Sequence, residues 1–339
     1  MKIGILGCAN IAKQFVRDVA PSRKVKVVAA ASRNLDTATA FAQTFGIPQA
    51  YGSYEALLAD KAIDTIYLPL PNSMHAEWAI KAAQAGKHIL CEKPLALGAA
   101  QVQSMLDAAR AAKVMLLEAY PYYFQPQTGH MLKAIHSGTI GEVRSVQACF
   151  GFTLARPDGN IRMSPELGGG ALLDAGSYPL SLIRLVMGSA PQKVRADSQW
   201  ADSGVDISTT ATLFWADGRT AQLSCAMNAA NHRYATIVGS AGTLETEYLN
   251  HTAHAVGDNA VGYLPSSMRL RAGIANSVPF QAVSSPAGSG FRFAAEAFAK
   301  VVKAGDFAAV ERAAQASLDI AATLEAMARS AKSGQTETV

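Results

Sequence analysis

The chain has 339 residues, of which 50% are hydrophobic and 17% charged, and its formal net charge is +4. This length suffices for two domains of ordinary size. The basic residues are scattered, which argues against nucleic acid or a lipid surface as a partner. The sequence has no apolar stretch of about 20 residues to span a membrane. Since MKIGILG enters a strand without a leader, we expect a cytoplasmic protein.

The cysteines and histidines do not indicate a metal site. The four cysteines are far apart and form no C-x-x-C pair, so neither a disulfide framework nor a zinc site is predicted. His251 and His254 are three residues apart, but no cluster of ligand-type residues lies near them in the sequence. We expect no bound metal, and a metal-dependent hydrolase is the least favoured function.

The first third of the chain alternates short apolar runs with helical patterns. Strands are predicted at residues 2–8, 25–32, 64–70, 87–91 and 114–118, and helices from about residue 10 and at 35–45, 74–85 and 99–112. Continuous apolar strands that alternate with helices predict a parallel sheet covered on both faces. We expect a doubly wound Rossmann domain over residues 1–119.

The pattern changes in the rest of the chain. Helices are predicted at 128–137 and 171–186, a half-buried strand at 142–154, several strands between 191 and 248, and mainly loop at 251–289. Strands in series favour an open, mainly antiparallel sheet. Two amphipathic helices, 291–304 and 308–330, close the chain. The predicted fold class is therefore α/β, with a second, α+β domain at 120–339 whose closing helices can pack back on the first.

The first strand leads into a sequence typical of a phosphate-binding turn. Residues 7–12, Gly-Cys-Ala-Asn-Ile-Ala, have the spacing of the dinucleotide fingerprint, with alanine at its second and third positions. Small residues let backbone amides approach a pyrophosphate, and a helix N-terminus offers it unpaired N–H groups. An ordinary tight turn is the alternative. We predict a nucleotide cofactor that contacts Gly7, Ala9, Asn10 and Ile11.

The end of the second strand bears on the choice of cofactor. An NAD site usually has a carboxylate about 20 residues after the turn, to bind the ribose 2′-hydroxyl. Here the chain has Ser32 and Arg33, which are suited to a 2′-phosphate. We therefore predict NADP(H) in preference to NAD(H), although Asp36 lies nearby in the sequence and keeps the alternative open.

Two further segments have residues suited to catalysis. Lys93, within Cys91-Glu92-Lys93-Pro94-Leu95, leaves the carboxyl end of a strand, where open α/β sheets bind ligands, and the following proline biases it away from a helical conformation. Later in the chain, three glycines at 168–170 precede Asp174 and Tyr178. If this segment is helical, these two side chains share one face.

These motifs together resemble the glucose–fructose oxidoreductase / inositol dehydrogenase (GFO/IDH/MocA) family over essentially the whole chain. Residues 92–95 are similar to its E-K-P motif, and residues 70–75, Leu-Pro-Asn-Ser-Met-His, to its P-N-x-x-H segment. The resemblance implies that Lys93 is the catalytic lysine and that Glu92 supports it. The further cofactor residues that we predict on this basis are Leu70, Asn72, His75, Glu92 and Lys93.

The second motif resembles the family's D-x-G-x-[H/Y] signature. Members that act on inositol have histidine at its last position and an acidic residue three further on, whereas this chain has Tyr178 and Ser181. The departure argues against inositol. It favours the dihydrodiol dehydrogenase and NADP-dependent xylose dehydrogenase members, which use tyrosine. The segment Glu118-Ala119-Tyr120 also resembles one that those members place beside the substrate.

The resemblance implies hydride transfer between a nicotinamide and a secondary alcohol or carbonyl of a sugar, polyol or diol. We assign the proton transfer to Tyr178 with Lys93 beside it, because a neighbouring ammonium favours a phenolate. Lys93 itself stays an alternative, and Asp174 would orient substrate hydroxyls or Lys93. The predicted substrate residues are Tyr120, Phe152, Arg156, Asp174 and Tyr178, and Tyr122, Tyr123 and Arg162 are further candidates. The particular substrate and the direction of transfer stay open.

A second function would also use the nucleotide-binding turn. A non-catalytic nucleotide-binding sensor would keep the turn and lose the catalytic residues, but Lys93, Asp174 and Tyr178 are all present.

The family resemblance also implies a homodimer or homotetramer that pairs through the second sheet. We expect the contact on the outward face of residues 209–214 and 221–227.

Overall fold

The computed structural model describes residues 1–250 and 266–339, so His251 and His254 lie outside the described residues. The chain divides into two units, each assembled from two stretches. The first contains Met1–Pro121 and Phe291–Ser317, and the second contains Tyr122–Gly290 and Leu318–Val339. The division at the C-terminal end falls within one long helix, α9 (Phe307–Ser333).

The first unit contains a parallel sheet of six strands. They are β1 (Lys2–Leu6), β2 (Lys26–Ala31), β3 (Gln49–Tyr51), β4 (Thr65–Leu68), β5 (His88–Glu92) and β6 (Leu116–Ala119). Their order is β3-β2-β1-β4-β5-β6, and every neighbouring pair is parallel. The order reverses between β1 and β4, and a sheet of this kind binds ligands at that switch point, beyond the carboxyl ends of its strands.

Helices and a shared apolar core stabilise this sheet. The helices are α1 (Asn10–Val19), α2 (Leu35–Phe45), α3 (Tyr54–Ala59), α4 (His75–Gln84), α5 (Ala99–Ala111) and α8 (Gly290–Ala304). The ring of Phe15 stacks on Tyr67 with 3.8 Å between centroids, and Phe291 and Phe298 of α8 are buried in the same core. The sequence analysis missed β3 and α3, because three and six residues are too short to show a period.

The second unit contains a mixed sheet of nine strands. They are β7 (Val143–Thr153), β8 (Lys193–Trp200), β9 (Asp206–Phe214), β10 (Thr220–Ala226), β11 (Asn228–Gly239), β12 (Gly242–Glu247), β13 (Met268–Ala272), β14 (Gln281–Ala282) and β15 (Glu337–Thr338). Their order is β14-β13-β12-β11-β7-β10-β9-β8-β15. Only the β7–β10 pair is parallel among the described strands of this sheet, so the predicted mainly antiparallel sheet is confirmed.

The predicted helix at 171–186 is wrong in one respect. Leu172–Gly176 forms a π-helical turn, and the α-helix α7 (Ser177–Met187) follows it; the other helix of this region is α6 (Pro126–His136). The backbone amide of Leu172 donates to the Asp206 carboxylate (2.7 Å), and a Cβ at Gly176 would lie 3.0 Å from the sulfur of Cys225. These close contacts with the sheet hold the wider turn, and such turns occur frequently at functional sites.

None of the helices within 1–250 and 266–339 has both the length and the apolar character that a membrane span requires.

Candidate functional site

The turn after β1 has the geometry of a phosphate-binding loop. Gly7 adopts φ +116°, a conformation that favours glycine, and its amide donates to the carbonyl of Ala31 at 3.0 Å. A Cβ at this position would lie 2.7 Å from Cδ2 of Leu70. The helix α1 begins at Asn10, and Ala9 before it supplies no side-chain cap. Backbone N–H groups at the start of α1 therefore suit a phosphate.

Arg33 lies at the same end of the sheet as this turn. Its side chain is exposed, and Ser32 beside it is half-buried. Burial raises the pKa of Tyr54, and the positive charge of Arg33 opposes that rise, which places Arg33 near Tyr54. The Tyr54 hydroxyl lies 4.0 Å from the position of a Cβ on Gly7. A guanidinium is thus close to the turn in which an anion would bind.

The loops that follow β4 and β5 are joined by His75. Its ring is fully buried, and its two nitrogens lie 2.8 Å from the carbonyl oxygen of Leu70 and 2.9 Å from that of Pro94. Burial lowers the pKa of His75, and the two carbonyl contacts oppose this effect. His75 therefore holds the two loops together through its ring nitrogens. Asn72 opens the short 3-10 turn just before it.

Lys93 is half-buried and lies directly after β5, where its peptide bond to Pro94 is cis. Glu92 before it is buried, and one of its carboxylate oxygens accepts a hydrogen bond from the Tyr67 hydroxyl at 2.5 Å. The backbone amide of Leu95 donates to the carboxylate of Glu118 at 2.9 Å. Buried side chains of β4 and β6 therefore hold the loop on both sides of Lys93.

Glu118 is a buried carboxyl that the sequence analysis named only as part of a motif. Burial raises its pKa to about 7, although hydrogen bonds and the charge of Lys93 reduce the rise. A carboxyl with such a pKa near Lys93 changes its charge close to neutrality. Perturbed pKa values of this kind are typical of functional sites.

In the second unit, Asp174 pairs with Arg162. The Nε atom of Arg162 lies 2.5 Å from a carboxylate oxygen of Asp174, and its guanidinium lies 5.8 Å from the ring centroid of Phe152. The structure thus brings together three residues that the sequence suggested as substrate candidates, Asp174, Phe152 and Arg162. Arg156, in the segment between β7 and the π-helical turn, is exposed.

Tyr178, the second residue of the helix α7, lies in a buried, mostly aromatic environment. The side-chain amide of Asn250 donates to its hydroxyl at 3.1 Å, and the ring of Phe150 packs edge-on against it with 5.4 Å between centroids. The guanidinium of Arg233 lies 4.0 Å from the centroid of the Tyr178 ring. No sequence motif indicates Arg233 or Asn250, since a single arginine in a strand has no motif around it.

Tyr120 belongs to the first unit and is only 1% exposed. Tyr122, two residues later, is fully buried in the second unit, and its hydroxyl lies 2.7 Å from that of Ser181. Ser181, which replaces the acidic residue of inositol-specific members, therefore packs inside the fold.

Within the described residues, no three His, Cys, Asp or Glu side chains are grouped so that they could hold a metal ion.

The parallel sheet with its glycine turn and exposed Arg33 defines a dinucleotide-binding protein of the Rossmann class. Comparison with known proteins gives the same class. Residues 1–120 match the model of an oxidoreductase family with an NAD-binding Rossmann fold, and residues 129–245 match that of the GFO/IDH/MocA C-terminal domain.

Similar proteins align over most or nearly all of the chain. D-xylose 1-dehydrogenase (NADP(+)) 2 of Haloferax volcanii is 34% identical over 336 residues, 98% of each chain. Trans-1,2-dihydrobenzene-1,2-diol dehydrogenase of Xenopus tropicalis is 37% identical over 72% of this chain and 74% of its own. The solved structure of KijD10, a 3-ketoreductase from Actinomadura kijaniata in complex with NADP and TDP-benzene, has a TM-score of 0.86 at 30% identity and covers 97% of both chains. The chain belongs to the GFO/IDH/MocA family of oxidoreductases, which confirms the predicted family and fold class.

Proposed function

We propose that this chain is an NADP(H)-dependent oxidoreductase that transfers a hydride between the nicotinamide and a secondary alcohol or carbonyl of a sugar, polyol or diol. One observation carries the proposal. The Gly7 turn and the Lys93 loop follow β1 and β5 at the carboxyl end of one parallel sheet, with only β4 between the two strands. Open parallel sheets bind nucleotides beyond the carboxyl ends of their strands, so both groups lie at the end of the sheet where a nucleotide is expected.

The residues of the first unit fit NADP(H). The Gly7 turn leads into the N-terminus of α1, whose backbone N–H groups suit a pyrophosphate, and Arg33 provides a guanidinium for a 2′-phosphate. The relatives support the same cofactor, since one is named for NADP(+) and another was solved with NADP. We propose that Ser32, Asn72 and Lys93 complete this site.

When bound, the cofactor supplies or accepts the hydride. The protein must then move the proton of the substrate hydroxyl, for which Tyr178 and Lys93 are the proposed groups. We propose that the first unit binds the cofactor and that Tyr178, Asp174, Phe152 and Arg156 of the second contact the substrate. The relatives are named for xylose, a dihydrodiol and a 3-keto group, which supports a small hydroxylated or keto compound.

Fluorescence titration with NADPH and NADH tests the cofactor, with the variants Arg33→Ala and Arg23→Ala. Arg23 is an exposed arginine of the same unit and serves as the matched control. We expect Arg33→Ala to weaken NADPH binding about tenfold or more, since it removes a charge-assisted contact, and Arg23→Ala to leave binding unchanged. NADH binding as tight as that of NADPH and indifferent to Arg33 would overturn the NADP(H) preference.

If neither nucleotide binds, the oxidoreductase proposal fails. If NADPH binds but a panel of aldoses, ketoses, polyols and diols shows no turnover in either direction, the non-catalytic sensor becomes the better proposal.

We further propose a cytoplasmic homodimer or homotetramer that pairs through the sheet of the second unit. Large apolar side chains are exposed on its strands, among them Tyr234 (56%) and Phe214 (37%). Exposed apolar side chains on one sheet favour a protein contact. Size-exclusion chromatography with light scattering measures the oligomeric state. We expect Tyr234→Glu to lower the mass of the assembly, and a monomeric wild type would contradict the proposed oligomer.

A further inference from the structure

Arg233, on β11, is surrounded by four aromatic rings of the second unit. Its guanidinium carbon lies 4.0 Å from the centroid of Tyr178, 4.8 Å from Tyr248, 5.0 Å from Phe150 and 5.4 Å from Tyr122. Each distance is within the range of a cation–π contact, and the contact with Tyr178 is the shortest. A cation is therefore held against the ring of the tyrosine to which we assign the proton.

A chain of hydrogen bonds links the same two residues. The Nη2 atom of Arg233 donates to the side-chain oxygen of Asn250 at 3.2 Å, and the side-chain nitrogen of Asn250 donates to the Tyr178 hydroxyl at 3.1 Å. Asn250 thus orients the hydroxyl, and Arg233 in turn orients Asn250. The ring is fixed as well, because Phe150 packs on it edge-on.

Among the described residues, Arg233 forms no ion pair with a carboxylate. Four ring faces and one amide oxygen carry no full negative charge, and the buried Nε atom has no hydrogen-bond partner within 1–250 and 266–339. Arg233 is partly buried, and a positive charge acts more strongly on its neighbours there than in bulk water. Preorganised charges of this kind stabilise a transition state when they lie where opposite charge develops.

We propose that Arg233 is a positioning residue for the reaction: together with Asn250 it fixes the ring and hydroxyl of Tyr178 and stabilises the negative charge that develops there. In the reductive direction, the carbonyl carbon accepts the hydride of the reduced nicotinamide, and the carbonyl oxygen accepts the hydroxyl proton of Tyr178. The tyrosine oxygen is left negative until it takes a proton from water. The inference rests on the proposed function, in which Tyr178 moves the proton.

The test compares Arg233→Met, Arg233→Lys and a matched control, Arg271→Met. Arg271, on β13 of the same sheet, lies over a ring, with 4.7 Å to the centroid of Phe280. Its buried Nε atom likewise has no partner among the described residues. Both methionine variants thus remove a cation from an aromatic ring, but only one removes it from Tyr178.

Rates are measured with NADPH and the carbonyl compound of the panel that the wild type reduces fastest. We expect Arg233→Met to lower kcat on the order of tenfold with little change in either KM, because it removes the cation that packs on the ring of Tyr178. Arg233→Lys keeps the charge and should recover much of the loss. Arg271→Met should leave kcat unchanged.

Should Arg233→Met fail to fold, Asn250→Ala breaks the same chain and leaves the cation in place, and we expect it to lower kcat without raising KM. Wild-type kcat in Arg233→Met, a loss confined to KM, or no recovery in Arg233→Lys would each overturn the inference. These outcomes are distinct from failure of the proposed function, which shows as absent NADPH binding or as full activity of Tyr178→Phe.

Discussion

The two units hold their proposed catalytic side chains by different means. In the first unit, buried polar groups hold the loop of Lys93: a ring nitrogen of His75 contacts the carbonyl oxygen of Pro94, and Glu118 accepts a hydrogen bond from the amide of Leu95. In the second, Tyr178 is surrounded by aromatic rings and a cation, and one amide binds its hydroxyl. The first arrangement depends on buried polar groups that can change charge, whereas the second depends on packing around a permanent charge.

The comparison also explains why the two sites differ in how they can be recognised from sequence. The loop of Lys93 lies in continuous segments next to strand ends, and such segments appear as motifs. The environment of Tyr178 is assembled from separate strands, since Phe150 belongs to β7 and Arg233 to β11. Its members have no fixed spacing.

The largest expected effect comes from removing the two proposed catalytic groups. We expect Tyr178→Phe and Lys93→Met each to lower kcat by about 10²- to 10⁴-fold while NADPH binding in Tyr178→Phe stays at the wild-type level. Pre-steady-state and steady-state rates with the best panel substrate measure the effect. The variant with the larger loss and the altered pH–rate profile identifies the group that moves the proton. Full activity of Tyr178→Phe with an unchanged profile would remove tyrosine from that role.

A smaller effect concerns the pH dependence of stability, which we expect from the buried polar groups around Lys93 in the first unit. The pKa of Glu118 is about 7 in the folded protein, against an ordinary value of 4.5, because the carboxyl is buried. The folded state then binds the proton more tightly than the unfolded chain. Glu118 therefore adds about 3 kcal/mol to the free energy of unfolding below pH 4.5, and this contribution is lost as the pH rises towards 7.

The variant Glu118→Gln keeps an acceptor for the Leu95 amide and removes this titration. We expect its free energy of unfolding, relative to wild type, to rise by about 3 kcal/mol between pH 4.5 and 8, as measured by urea unfolding without cofactor. Glu77→Gln, an exposed glutamate on α4, is the control. A difference that stays constant with pH would mean that Glu118 does not titrate in this range.

The smallest effect concerns the phosphate turn. Gly7→Ala should lower the free energy of unfolding by about 1–3 kcal/mol, because alanine rarely adopts φ +116°. It should also weaken NADPH binding, because the new Cβ displaces the side chain of Leu70. Gly46→Ala is matched, since Gly46 has φ +63° and a Cβ there meets no described atom within 4 Å. It should lower stability and leave NADPH affinity unchanged. Equal affinities in the two variants would argue against a nucleotide at the Gly7 turn.

The sequence by itself determined the family, the fold class and NADP(H) as the favoured cofactor. Apolar periodicity located five strands of the parallel sheet, and the residues around Gly7, Arg33 and Lys93 form local motifs, because each of these functions depends on a few neighbouring residues at a strand end. The same periodicity missed β3, whose three residues are too few to show it.

The features that depend on contacts between distant parts of the chain are visible only in the tertiary structure. The parallel pairing of β7 with β10 joins strands far apart in the chain, and the π-helical turn before Tyr178 depends on close contact with the sheet. The raised pKa of Glu118 follows from burial, which a single sequence does not report. Arg233 and Asn250 reach Tyr178 only because strand pairing brings residues of different segments to one place, and no local pattern encodes such a meeting.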